Sequence, residues 1–256
     1  GVAMAQSSVT LYGVADLSLA KFNGVSAQMS GGGSTVGNGV INPATGAQFG
    51  SIMNNGSSRL GVRGVEDLGG GLKAAFNFEQ GINAETGATD AVTFQRAANL
   101  SLTGGFGRIL MGRTLTPSFF GVAAWELTGT ANYSAVANQF GFAGGPSRNS
   151  SVFQYTFATG AFSSTLGYIM KPDNIFPGGA ASGNSKYDLN AIYKQGPLVV
   201  ALSYHKTQNI SGNNYALGAA YDFGAFKLAG SIQNPAGASK GFTIGGTVPV
   251  GPVALT

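Results

Sequence analysis

Polar and apolar side chains alternate along most of this chain. Between Ser185 and Lys194, Tyr187, Leu189, Ala191 and Tyr193 fall on one parity, and Lys186, Asp188, Asn190 and Lys194 on the other. A period of two belongs to a β-strand with one apolar and one polar face. The same pattern predicts strands over residues 9–22, 57–65, 72–82, 93–103, 108–115, from Arg148 to Phe157, and over 162–170, 186–194, 198–206, 215–223, 226–232 and 242–248. That makes twelve strands, with the start of a thirteenth in the tail 251–256. The connections alternate between short turns (TGA, QGP, FGA, VGP) and longer segments (NISGN, PDNIFPGGAASGN, NPAGAS). Strands of about ten residues cross a tilted bilayer path, and short turns on one side with long loops on the other mark an outer-membrane barrel. The predicted fold is all-β: a transmembrane antiparallel β-barrel.

Two stretches lack the alternation. Residues 23–56 are rich in Gly, Ser and Asn and read as an exposed loop. Residues 116–147 hold the only tryptophan, Trp125, beside Glu126 and several phenylalanines. That segment is too long for a hairpin turn and too apolar for a linker, so it is expected to fold into the barrel interior. Tyr168, Tyr187, Tyr193, Tyr204, Tyr215, Tyr221 and Phe223 lie near strand ends, where amphipathic rings meet lipid headgroups.

Composition sharpens this picture. Charged residues are only 9% of the chain, against about 25% in soluble domains. No window approaches 18 continuous apolar residues, so helical spans do not explain the low charge. The net charge of +4 comes from basic residues scattered singly, which argues against nucleic-acid binding. With no cysteine and one histidine, His205, neither a thiol nor a His-based metal centre is expected, and no cofactor is called for. Ala3-Met4-Ala5 has the small-x-small form of an export cleavage site, so residues 1–5 read as the remnant of a signal peptide.

Three blocks carry a family resemblance: QSSVTLYGVADLSLA (6–20), SSRLGVRGVEDLGGGLKAAFNFE (57–79) and LSLTGGFGRILMGR (100–113). They resemble the general Gram-negative porins. The resemblance implies a homotrimer of 16-stranded barrels in the outer membrane, in contact with lipid and lipopolysaccharide, with the third extracellular loop folded inward. It also implies passive diffusion of small hydrophilic solutes, and basic residues at Arg59, Arg96 and Arg148 on the wall facing that loop. Family members run on for several more strands and end on an aromatic residue, so the sequence reads as truncated at both ends.

No bond-breaking chemistry is expected. Pores select ions with charged side chains at a constriction, Arg or Lys for anions. Arg59 and Arg63 share a parity with Gly61, opposite Leu60 and Val62, and point inward. Arg148 shares the parity of Gln154 and Thr156. Arg96 shares that of Leu100 and Leu102, which predicts a bulge. Glu126 is expected to supply the opposing charge from the inward loop. Arg113 and the inward acids Asp16, Glu79, Asp188 and Asp222 are further pore-lining candidates. The small inward residues Thr10, Ser18, Ala216, Gly218, Ala229 and Ser231 suggest an open lumen. A substrate-specific channel is the alternative within transport. A barrel hydrolase using Ser203 and His205 is the enzymatic alternative, and it requires a third group to orient His205.

Overall fold

The computed structural model describes residues 8–21, 47–50, 56–84, 86–170, 183–236 and 240–256. Residues 1–5, with their export reading, and most of the loop at 23–56 lie outside these.

Thirteen strands form one antiparallel sheet. They are β1 (Ser8–Val14), β4 (Arg59–Gly69), β5 (Leu72–Gly81), β6 (Ala97–Gly104), β7 (Gly107–Leu115), β8 (Arg148–Thr159), β9 (Phe162–Ile169), β10 (Lys186–Gln195), β11 (Leu198–Thr207), β12 (Asn214–Asp222), β13 (Lys227–Asn234), β14 (Gly241–Val250) and β15 (Val253–Leu255). Each pairs with its neighbours in this order. A separate ribbon joins β2 (Ser18–Lys21) to β3 (Ala47–Gly50).

The pattern breaks in three informative places. The strand predicted over 9–22 stops at Val14, where Asp16 leaves the ladder and its backbone N–H bonds Ser58 Oγ at 2.8 Å. Strand β4 runs through the expected Glu66-Asp67 turn, which shrinks to Gly70-Gly71. Asp67 Oδ1 accepts from Gly69 N at 2.9 Å, and Gly69, Gly70 and Gly71 all take positive φ. Strand β6 begins at Ala97, four residues later than predicted.

The sheet is inside-out relative to a soluble protein. Leu11 (73% exposed), Leu100, Leu166, Ile232 and Ile244 (83%) stand on one face, while Gln154, Asp188, Asn190, Ser203 and Gln233 are buried behind the other. Exposed aromatics form two bands. Tyr187 and Tyr215 lie at the long-loop end, and Tyr193, Tyr221 and Phe223 at the short-turn end. Six residues separate Tyr187 from Tyr193, or about 20 Å at ~3.4 Å per residue. This approaches the ~25 Å apolar belt of outer-membrane barrels.

Residues 116–147 pack on the polar face. The loop's ends are clipped together, with Thr116 N donating to Ser147 O at 2.9 Å and Thr116 Oγ1 to Pro146 O at 3.2 Å. Inside it lie two short helices, α1 (Pro117–Ala123) and α2 (Ala135–Phe140). Thr116 caps α1 by accepting from Phe119 N, with Pro117 at the first helical position. Ser134 caps α2 from Ala137 N. Val122, Trp125, Phe142 and Ala143 bury themselves against Ala201 and Ala216 of the wall. This apolar core lies against the sheet's polar face. It corrects one inference from the sequence: Ala216 and Gly218 are small because the loop rests on them. A Cβ on Gly218 would run into the Trp125 indole. Gly218→Val should therefore destabilise the fold by about 1–3 kcal/mol, the usual cost of overpacking. The check is the urea midpoint of refolded protein in detergent, and a wild-type midpoint would show that the indole has room to move.

Candidate functional site

The site is built outward from Glu79. Straight across the sheet at its level run Tyr12 of β1, Gly61 of β4, Glu79 of β5 and Ala97 of β6. Gly61 has no side chain, so the Tyr12 ring crosses over it, and a Cβ there would strike that ring. The Tyr12 hydroxyl lies 2.9 Å from Glu79 Oε2 and 2.8 Å from Asn77 Oδ1. Glu79 Oε2 is 3.5 Å from Arg59 Nε, and Oε1 is 2.7 Å from Arg96 Nε. One carboxylate thus bridges two guanidiniums.

Arg148 joins through its Nε, which donates to the Arg96 carbonyl at 2.8 Å, and Nη1, 3.4 Å from Ser147 Oγ. Arg96, Arg113 and Arg59 repel its charge and Glu79 attracts it. Arg113 donates through Nε to Gln95 O and through Nη1 to Ser150 Oγ at 2.9 Å. Arg59, Arg96, Arg113, Arg148 and Glu79 are therefore one cluster. Arg63 sits one step along β4, 5.1 Å over the Tyr12 ring.

Arg96 arrives differently from the parity argument. Strand β6 pairs regularly from Ala97 onward, without a bulge, and Arg96 lies just before it. The chain turns at Phe94, with φ of 54°, and Arg96 N bonds Glu79 O at 3.2 Å. Off the strand, Arg96 is free of the outward parity of Leu100. The irregularity falls instead opposite Arg113, where the β7–β8 register shifts between Gly112 and Thr114 and Ser151 takes φ of 56°.

The other candidates make contacts of their own. Glu126 accepts hydrogen bonds from Thr128 N (3.0 Å), Thr130 N (2.7 Å), Thr128 Oγ1 (2.7 Å) and Ser134 Oγ (3.0 Å), all within the loop. These bonds organise the loop's turn. Asp16 ties loop to strand through Gly56 N at 3.0 Å. Asp222 pairs with Lys227 at 3.1 Å in an exposed turn. Asp188, fully buried, holds α1 by accepting from Ser118 N at 2.7 Å and Ser118 Oγ at 2.6 Å. Asn190 Nδ2 donates to Pro117 O at 2.8 Å and Ser203 Oγ to Ser118 O at 3.0 Å.

These bonds leave the hydrolase reading without a relay. Asp188 faces His205 in register, but its Oδ1 and the Ser203 hydroxyl are both engaged by Ser118. Among the described residues, no group of His, Cys, Asp and Glu is placed to hold a metal ion.

Two arcs of the wall thus carry different loads. The arginines come from β4, β7, β8 and the residue before β6. The loop rests on β9 to β14, with Pro117 near Gly167, Gly121 on Ser203, Trp125 on Gly218 and Phe140 on Gly241. Tyr12 and Asp90, also near the cluster, were missed from sequence. Tyr12 had a signal, since it lies on the polar parity of β1 with Thr10.

Residues 1–256 match the Gram-negative porin family. The chain is 33% identical over 247 residues to outer membrane porin protein 32 of Delftia acidovorans, covering 91% of this chain and 65% of that one. It is 30% identical over 253 residues to an outer membrane porin protein of Bordetella pertussis, covering 90% and 64%. The chain therefore spans just under two thirds of the length of these relatives. Among solved structures, the anion-selective porin from Comamonas acidovorans matches with a TM-score of 0.68 at 25% identity, over 96% of this chain and 75% of that one. A mutant of the Rh. blastica porin shares the fold at 13% identity, with a TM-score of 0.62 over 96% and 82%. By sequence and by fold, the chain belongs to the Gram-negative porin family.

Proposed function

We propose that this chain forms the wall and constriction of a water-filled outer-membrane channel that passes small hydrophilic solutes and prefers anions. The single observation that carries the reading is the separation of the two arcs. The loop 116–147 is fixed to β9–β14. The arginine cluster stands on the strands before it. When such a sheet curves into a barrel, the passage runs between loop and arginines. Four guanidiniums against two carboxylates, the bridging Glu79 and the buried Asp90 beside Arg113, leave that passage net positive. The name of the anion-selective relative from Comamonas acidovorans supports the same sign.

The apolar outer face and its aromatic bands suit lipid. We place the channel in the bacterial outer membrane on that basis, together with the names of its relatives. A homotrimer in contact with lipopolysaccharide is what the family resemblance implies, and the Ala3-Met4-Ala5 pattern supports export through a cleaved signal. Specific recognition of one solute finds no support, because the cluster holds charge without an aromatic slide.

The test is the reversal potential of the purified channel in a planar bilayer under a KCl gradient. It should favour chloride. The preference should fade as salt rises, because the screening length shortens from about 10 Å at 0.1 M to about 3 Å at 1 M. A potential favouring potassium would overturn the reading.

A further inference from the structure

An arginine must be held as well as present. Its flexible stem otherwise spreads the charge over a wide arc, whereas a fixed guanidinium fork acts at one place. Arg113 and Arg148 are each held by a backbone carbonyl, through Nε to Gln95 O and to Arg96 O respectively. These two successive carbonyls belong to the connection between β5 and β6, residues 82–96.

Its later part, residues 89–96, folds back on the end of β5. Asp90 N donates to Gly81 O at 3.1 Å, and Gly81 N returns a bond to Asp90 Oδ2 at 3.1 Å. Ile82 bridges Thr89, and Phe94 N donates to Gln80 Oε1 at 2.7 Å. The Phe94 ring packs 5.2 Å from that of Phe78. Asp90 is 7% exposed, and a Cβ on Gly81 would overlap its carboxylate. Gly81 is therefore the residue that admits Asp90. The Asp90 charge also attracts Arg113.

We propose that the Asp90–Gly81 clasp is a positioning device for the arginine cluster. It fixes the carbonyls of Gln95 and Arg96 and, through them, the direction of the Arg113 and Arg148 guanidiniums. Asp90 is thereby a specificity-determining residue that need not touch the permeating ion. The proposal rests on the reading of the cluster as the anion filter.

Charge counting and positioning predict opposite signs here. If Asp90 acted only as a nearby negative charge, removing it would strengthen the anion preference. If it positions the arginines, removing its side chain weakens that preference. Asp90→Ala separates the two, and Asp90→Asn is its control, because the amide oxygen can still accept from Gly81 N.

Reversal potentials are measured for wild type, Asp90→Ala, Asp90→Asn, Asp90→Glu and Gly81→Ala, with Arg148→Ser as reference. Asp90→Ala and Gly81→Ala should both move the potential toward zero, by a shift comparable to that of Arg148→Ser. Asp90→Asn should keep the wild-type preference or exceed it. Should Asp90→Ala yield no channels, Gly81→Ala carries the test on the same terms. Should neither yield channels, Asp90→Glu decides, because it keeps the charge and displaces the carboxylate from Gly81 N: a weaker preference supports the clasp, an unchanged one overturns it. Equal shifts in Asp90→Ala and Asp90→Asn, or a stronger preference in Asp90→Ala, overturn it too. An Arg148→Ser channel that keeps the wild-type potential would instead sink the filter reading beneath it.

Discussion

Asp188→Leu should lower the unfolding midpoint of the barrel and make its open-channel current noisier and larger. Asp188 is 2% exposed and sits on the polar face of β10. Its Oδ1 accepts both the backbone N–H and the hydroxyl of Ser118, in the first turn of α1. Two charge-assisted bonds are lost in the variant, at about 1.5–3 kcal/mol each. The Ser118 N–H is stranded in a buried place. A total of roughly 3–5 kcal/mol follows from the lost bonds and the stranded donor. The channel effect follows from what the bonds hold. Asn190 and Ser203 grip the same turn of α1 from neighbouring positions, at Pro117 O and Ser118 O. With Asp188 gone, α1 keeps these two neutral hydrogen bonds, the clip at Thr116 and its apolar packing, and the loop should move more within the passage. Urea midpoints in detergent and single-channel recordings read both consequences. Asp188→Asn retains an acceptor and should fall between. A leucine variant with wild-type midpoint and quiet current would mean that the Trp125 side of the loop holds it alone.

The alternation made the sheet legible because lipid and lumen impose opposite polarities on successive residues. Nothing along β8 to β14 disturbs that rule for more than a residue or two. The failures cluster where another interaction outweighs the alternation. Val14 is followed by apolar residues on the right parity, yet the Asp16–Ser58 bonds pull the chain out of the ladder. Arg96 looked outward by counting from Leu100, but it precedes the strand, and its geometry is set by the Glu79 carbonyl. The helices of the 116–147 loop carry a readable signal in Thr116-Pro117, a cap followed by a first-turn proline. It was masked by the absence of any longer helical period.

The site was half legible. Arg59, Arg96 and Arg148 converge, but nothing local to Glu79 announces that it bridges two of them. That depends on Gly61 and Ala97 leaving space on either side. Glu126 shows the reverse. An acid on an inward loop suggests a charge for the pore, yet the nearest donors are its own loop's Thr128, Thr130 and Ser134. Long-range pairing of side chains, unlike strand polarity, leaves no periodic trace in a sequence.

Arg148→Ser and Glu79→Gln should move ion selectivity in opposite directions. Of the clustered arginines, Arg148 is held by neutral oxygens, the Arg96 carbonyl and the Ser147 hydroxyl. Arg59 and Arg96 share the Glu79 carboxylate. A guanidinium about 4 Å from an anion contributes about 1 kcal/mol in bulk water and about 4 at an effective dielectric of 20. Even the lower figure is about fivefold in a permeability ratio. Arg148→Ser should therefore cut the chloride-to-potassium ratio at least several-fold, with Arg59→Ser and Arg96→Ser moving it the same way. Glu79→Gln removes the one carboxylate that offsets two guanidiniums and keeps an oxygen to orient one of them, so the ratio should rise. The Tyr12 hydroxyl, 2.9 Å from Glu79, keeps Asn77 as a partner and should not drive the change. Both effects should be largest near 0.1 M KCl and shrink toward 1 M as screening closes in. Reversal potentials across matched gradients at the two concentrations give the answer. Shifts of the same sign in Arg148→Ser and Glu79→Gln would mean that the two residues matter for the shape of the passage rather than for its charge.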